Sequence, residues 1–136
     1  MRRVLVGFDG SEGAENAFNK AMSIIDDSGE IILIAVVLKP SGSKPLDAHN
    51  GQTIKARANN ILNIAIRDVG EHEYSIVGIV REGDDIASVI IDAASELNVD
   101  AIVLGSKGSS ELGRYPIGSV ANKVVQFAKK PVMVCR

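Results

Sequence analysis

Five short apolar runs recur along the chain, at residues 3–8 (RVLVGF), 31–38 (IILIAVVL), 73–80 (EYSIVGIV), 100–104 (DAIVL) and 131–135 (PVMVC). Between them, apolar residues return every three or four positions, the spacing of one helix face. Ala14, Ala17, Phe18, Ala21, Met22 and Ile25 form the first such stripe. Ile54, Ala58, Ile61, Leu62, Ala65, Ile66 and Val69 form the second and most regular one. Ile86, Val89, Ile90, Ala93, Ala94 and Leu97 form the third, and Val120, Val124, Val125 and Ala128 the fourth. Ser11 is placed to cap the first helix and Asp84 or Asp85 the third, because a short side-chain oxygen can accept from a first-turn N–H. Gly29 and Gly83 read as turns.

Strands that alternate with amphipathic helices predict a parallel sheet with helices on both faces. Right-handed crossovers leave few strand orders, chiefly 3-2-1-4-5 and the flavodoxin-like 2-1-3-4-5. The second run is apolar throughout, which suits an interior strand covered on both sides. That favours 3-2-1-4-5, with the more polar third strand at one edge and the fifth at the other. The Pro/Gly/Ser-rich stretch 39–50 reads as a loop inside the domain, since neither side of it could fold alone. One domain over residues 1–136 is the expectation.

Composition narrows the function classes. A net charge of −2 and 4% aromatic residues, with no Trp, fit neither a nucleic-acid groove nor a base-stacking platform. Charged residues at 24% are ordinary for a soluble protein. No run approaches the roughly 20 apolar residues that a membrane span needs. The run before Asp9 is too short for the core of a secretion signal. With a single cysteine, Cys135, these features predict a cytoplasmic protein. His49 and His72 have no Cys or acidic partners at ligand spacing, so no metal site is expected. Ser11 lacks a His and acid set, so no catalytic residue is assigned.

The chemistry concentrates in GSKGSSELGRYPIGS, residues 105–119, between the fourth strand and the last helix. Four of its fifteen residues are glycine and four serine. In the 3-2-1-4-5 order the strand sequence reverses between strands one and four, where open parallel sheets bind ligands. The loop then faces Asp9 across that crevice. A helix N-terminus attracts anions through unpaired N–H groups and its dipole. Glycine lets a phosphate approach the backbone. Ser119 adds a hydroxyl, and Lys107 or Arg114 a positive charge. A nucleotide therefore fits, with phosphate at the loop and sugar at Asp9. Glycines between a strand and a helix also simply make turns, and Gly113 is open to that reading. Neither GxxxxGK[ST] nor GxGxxG is present.

The spacing Gly105-x2-Gly108-x9-Gly118-Ser119 resembles the nucleotide-binding signature of the universal stress protein family. VLVGFDGSEGAENAF is similar to that family's opening, and GSVANKVVQFAKKPVMVCR to its final helix and strand. The resemblance implies a Rossmann-like, adenine nucleotide alpha hydrolase-like α/β fold with order 3-2-1-4-5, and a homodimer. It implies ATP, or ADP or AMP, as ligand, with Mg²⁺ on the phosphates. Carried across, Asp9 matches the ribose contact and Val36 the strand-two residue whose backbone meets adenine. Gly105, Lys107, Gly108, Gly118, Ser119 and Val120 match the phosphate-holding positions. Lys107 stands where Arg is frequent, which removes a planar two-point phosphate contact. Asp85 stands where Pro is frequent.

The function expected is a stress-response or signalling module, with ATP hydrolysis slow or absent because no general base is evident. An ATP-hydrolysing or adenylating enzyme on the same fold is the alternative, and a non-nucleotide dimeric scaffold a further one. A flavodoxin-like FMN carrier lacks aromatic residues to flank the flavin. The apolar fifth strand, as a sheet edge, invites pairing with the same strand of a second copy.

Overall fold

A computed structural model describes residues 1–39, 48–107 and 117–136, with backbone alone for 48–52. Nine elements follow in order: β1 (Arg3–Gly7), α1 (Glu12–Ile24), β2 (Glu30–Leu38), α2 (Ala48–Arg67), β3 (Ser75–Gly83), α3 (Ile86–Glu96), β4 (Ala101–Gly105), α4 (Ser119–Phe127) and β5 (Val132–Cys135). The five strands form one parallel sheet in the order β3-β2-β1-β4-β5.

Strand side chains alternate between faces, and the two cores sort accordingly. Val4, Val6, Ile31, Leu33, Ala35 and Val103 pack with Ala14, Ala17 and Phe18 of α1 and Leu62 of α2. Leu5, Ile32, Ile34, Ile102 and Leu104 pack with Ile90 and Ala94 of α3 and Val124 of α4. So α1 and α2 cover one face, α3 and α4 the other. Phe8 and Phe18 meet edge to face at 6.0 Å on the α1 side.

The caps form as their residue types dictate. Ser11 Oγ accepts from the Ala14 N–H at 3.2 Å. Asp85, rather than Asp84, caps α3 by accepting from the Ser88 N–H at 3.0 Å. Asp100 adds a link not evident from pattern. Its Oδ2 accepts from the backbone N–H groups of Arg2 and Arg3 at 2.8 and 3.0 Å, tying the starts of β1 and β4. The Arg3 bond first, then the Arg2 bond, holds this carboxyl below its ordinary range.

Four expectations shift. The third strand begins at Ser75 and runs to Gly83, not from 73 to 80, because it matches nine residues of β2 from Glu30 to Leu38. Its polar end is accommodated by ion pairs over both layers: Glu82 to Lys55 of α2 and Arg81 to Glu96 of α3, each at 3.1 Å. The stretch 39–50 is not loop throughout, since α2 already begins at Ala48. The second stripe is buried only at Leu62 and Ala65, with Ile54 and Ile61 each 38% exposed. That helix covers an edge strand, so its flank has no neighbouring element to reach. In α4 the buried pair is Ala121 and Val124, while Val125 faces solvent. Among the described residues no helix is long and apolar enough to cross a membrane.

Candidate functional site

A cleft of about 370 Å³ opens at the carboxyl ends of β1 and β4, where the strand order reverses. Its floor is apolar: Ile34, Val36 and Leu38 from alternate positions of β2, Leu104 of β4, and Ile86 and Ile90 of α3. The rim is polar, with Asp9, Asp84, Asp85, Ser106, Lys107 and Ser119. An apolar slot with a few convergent polar groups is the usual form of a small-molecule site.

β1 delivers the first lip. At Gly7 a Cβ would lie 2.7 Å from Leu104 Cδ2, so the Leu104 side chain packs over the bare glycine. Phe8 extends the pairing to Ile34 O at 2.9 Å, and the chain then turns at Gly10, whose φ is +82°. Asp9 Oδ1 accepts from the Ser11 N–H at 2.9 Å, which orients the carboxylate just before α1 starts.

The second lip is built from β4 and α4. Asn122 donates the first bond of α4, to Gly118 O at 2.9 Å. Helical geometry therefore leaves the Val120 and Ala121 amides without a helical acceptor, and Gly118 has no side chain to supply one. These N–H groups and the helix dipole favour negative charge at the cleft.

Of the eight residues singled out in the sequence, Asp9, Val36, Gly105, Lys107, Gly118, Ser119 and Val120 all line this one cleft. Gly108, with Arg114 and Gly113, falls outside the described residues. Two features of the loop go beyond the sequence reading. Not all its amides are open to a ligand, because the Gly118 N–H donates to the Ser106 carbonyl. Gly105 has a reason of its own to lack a side chain. A Cβ there would sit 2.5 Å from Gly13 C, 2.6 Å from Gly13 O and 2.9 Å from Gly13 Cα. Gly13 in turn approaches the Lys107 carbonyl, 2.5 Å from where its own Cβ would be. Two chain segments thus cross at backbone contact beside the site. Sequence reading missed Gly13, although a glycine in the first turn of a helix, where it lowers helix propensity, is a signal of close approach. It also missed the floor residues Ile34, Leu38, Ile86 and Ile90, which the strand and helix periodicities had assigned to core.

One rim carboxylate is already committed. Asp85 Oδ2 accepts from Lys123 Nζ of α4 at 2.7 Å, from Ser88 Oγ at 2.7 Å and from the Ser88 N–H at 3.0 Å. The Lys123 bond, followed by those of Ser88, lowers its pKa from 3.8 to about 2. A depressed carboxylate pKa contributes stability that is present above pH 3.8 and is lost as pH falls towards 2. Carboxyl ¹³C NMR is expected to place the Asp85 midpoint near 2. Lys123→Met should move that midpoint upward, and an ordinary midpoint in the unaltered chain would contradict the bridge between α3 and α4.

Comparison with known proteins agrees with this architecture. The universal stress protein family model matches residues 1–136. A Staphylococcus haemolyticus protein named for that family is 27% identical over 139 residues, spanning 99% of this chain and 84% of the relative. Among solved structures, the hypothetical protein MJ0577 superposes with a TM-score of 0.84 at 22% identity, covering 98% of this chain and 94% of its own. An Arabidopsis thaliana family member with AMP bound gives a TM-score of 0.68 at 17% identity, covering 99% and 91%. A universal stress protein in complex with cAMP gives 0.67 at 22% identity, covering 99% and 97%. At these identities the structural likenesses are likenesses of fold.

Proposed function

We propose that this chain, which belongs to the universal stress protein family, holds an adenine nucleotide in the cleft and acts as a stress-response or signalling module. ATP is the first candidate, with ADP and AMP as members of the same class. The base lies over the apolar floor beside the Val36 backbone. The ribose hydroxyls meet Asp9. The phosphates meet the first turn of α4, Ser119 and Lys107, with Gly105, Gly108 and Gly118 letting the backbone come close.

The observation that carries this reading is the convergence of seven of those eight residues on one cleft at the strand-order reversal. The nucleotides in the AMP-bound and cAMP-bound neighbours support the ligand class. Among the described residues no group of three or more His, Cys, Asp or Glu is placed to hold a metal ion. Mg²⁺ would therefore enter with phosphate oxygens and waters, the usual manner of this cation in nucleotide sites.

Equilibrium calorimetry is expected to show binding of ATP, ADP or AMP. Asp9→Ala is expected to weaken adenosine and ATP alike. No heat with any adenine nucleotide, from protein shown to be folded, would remove the reading. The same proposal takes residues 1–136 as one cytoplasmic domain and the β5 edge as the seam of a homodimer. Light scattering that shows a monomer at micromolar concentration would remove the dimer.

A further inference from the structure

Ser106 sits at the junction of β4 and the cleft and is 7% exposed, the buried polar residue among the described ones. Its backbone groups are both used inside the protein. Its N–H donates to Cys135 O at 2.6 Å, and its carbonyl accepts from the Gly118 N–H. Its hydroxyl is different: among the described residues no hydrogen bond involves Ser106 Oγ. Yet no fully buried side-chain polar atom lacks a partner among them. The sliver of surface that Ser106 keeps therefore includes its hydroxyl, since a sealed and unbonded Oγ would have been an orphan. The residue lines the cleft and also an adjoining recess of about 430 Å³ that shares Ser11 and Lys107 with it. A hydroxyl at the surface of the cleft, with no partner among the described residues, is open to water or to a ligand that displaces it.

We propose that the Ser106 hydroxyl is a further ligand of the nucleotide, donating to an anionic oxygen of the phosphate group that AMP and ATP share. The inference rests on the nucleotide reading above and deepens it. The Ser106 carbonyl takes the Gly118 amide out of the phosphate site, and the Ser106 hydroxyl supplies a donor in its place. The bond to Gly118 also fixes Ser106 beside the first turn of α4, the electropositive pole of the cleft, with Lys107 next in the chain. Asp9 occupies the other lip, so a ligand with its sugar there carries its first phosphate towards Ser106.

The test compares the unaltered protein with Ser106→Ala, using calorimetry with adenosine, AMP and ATP and a thermal melt of each protein. AMP and ATP affinities are expected to fall about ten-fold, the effect of one hydrogen bond to a charged group. Adenosine affinity should stay within about two-fold, and the melting temperature should hold, because the hydroxyl bonds nothing among the described residues. Ser106→Thr, which keeps the hydroxyl, should recover phosphate discrimination measured as the AMP-to-adenosine affinity ratio. An unchanged AMP affinity in Ser106→Ala overturns this inference while leaving the nucleotide reading intact. A uniform loss for all three ligands with a lower melting temperature also overturns it, since that is the mark of a structural role. Absence of binding in the unaltered protein overturns both.

Discussion

A Gly118→Val variant is expected to lose adenine-nucleotide affinity by on the order of 100-fold, about 2.7 kcal/mol, while keeping its fold. Gly118 is buried, lines the cleft and caps α4 with φ −71° and ψ 166°. Valine adopts that extended conformation readily, so the cap's dihedral angles need not change. Its N–H can still donate to the Ser106 carbonyl, and its carbonyl can still receive Asn122. What changes is the space in front of the first helical turn, where an isopropyl group replaces a hydrogen. The amides of Val120 and Ala121 then lie behind a side chain rather than at the surface of the cleft. Adenosine, which lacks the phosphate, should lose much less. Calorimetry on both ligands, with circular dichroism to verify the fold, decides the matter. ATP affinity within about five-fold of the unaltered protein would show that phosphate does not approach this helix.

Gly105→Ala is expected to act on stability first and binding second. The added methyl would collide with three backbone atoms of Gly13 at 2.5 to 2.9 Å. A flexible side chain can swing away from such a collision, but α1 can yield only by moving as a body. Overpacking of this kind costs about 3 kcal/mol. For a chain of this size that corresponds to a melting temperature lower by roughly 10 °C. Gly13→Ala should behave similarly, because its methyl would press on the Lys107 carbonyl. The double substitution should not rescue either one, since both methyls compete for the same gap. Thermal melts of the three variants are the measurement. A loss under about 1 kcal/mol for Gly105→Ala would mean that the crossing of α1 over the end of β4 is looser than described.

The fold was readable because its two periodicities are clean. β2 is apolar at almost every position, and it lies inside the sheet, buried on both faces from Ile31 to Ala35. Ser11 and Asp85 announce helix starts with oxygens that do accept the expected N–H groups. The ends of β3 were less legible, because partner length rather than local composition sets where an edge strand stops. Ile54 and Ile61 carry the right spacing for a buried face, but periodicity cannot say that the covered strand is the last one. Within the site, local pattern pointed to the glycine loop and to Asp9. It could not reveal that Gly105 is small because of Gly13, a neighbour 92 positions away in sequence. Nor could it show that one loop amide is spent on Ser106, since both facts arise only when α1, β4 and α4 come together.

The unequal dress of the two sheet margins has a consequence for assembly. On the β3 side, Arg81 and Glu82 are each tied down by an ion pair to a flanking helix, so a strand arriving there must displace charge. On the β5 side, Val132, Met133, Val134 and Cys135 offer no such guard. Sheet-to-sheet pairing between copies would therefore favour the β5 edge over the β3 edge. In the homodimer proposed above, a β5-to-β5 union would be self-complementary and would close at two copies, because the outermost β3 margins carry the ion-paired Arg81 and Glu82.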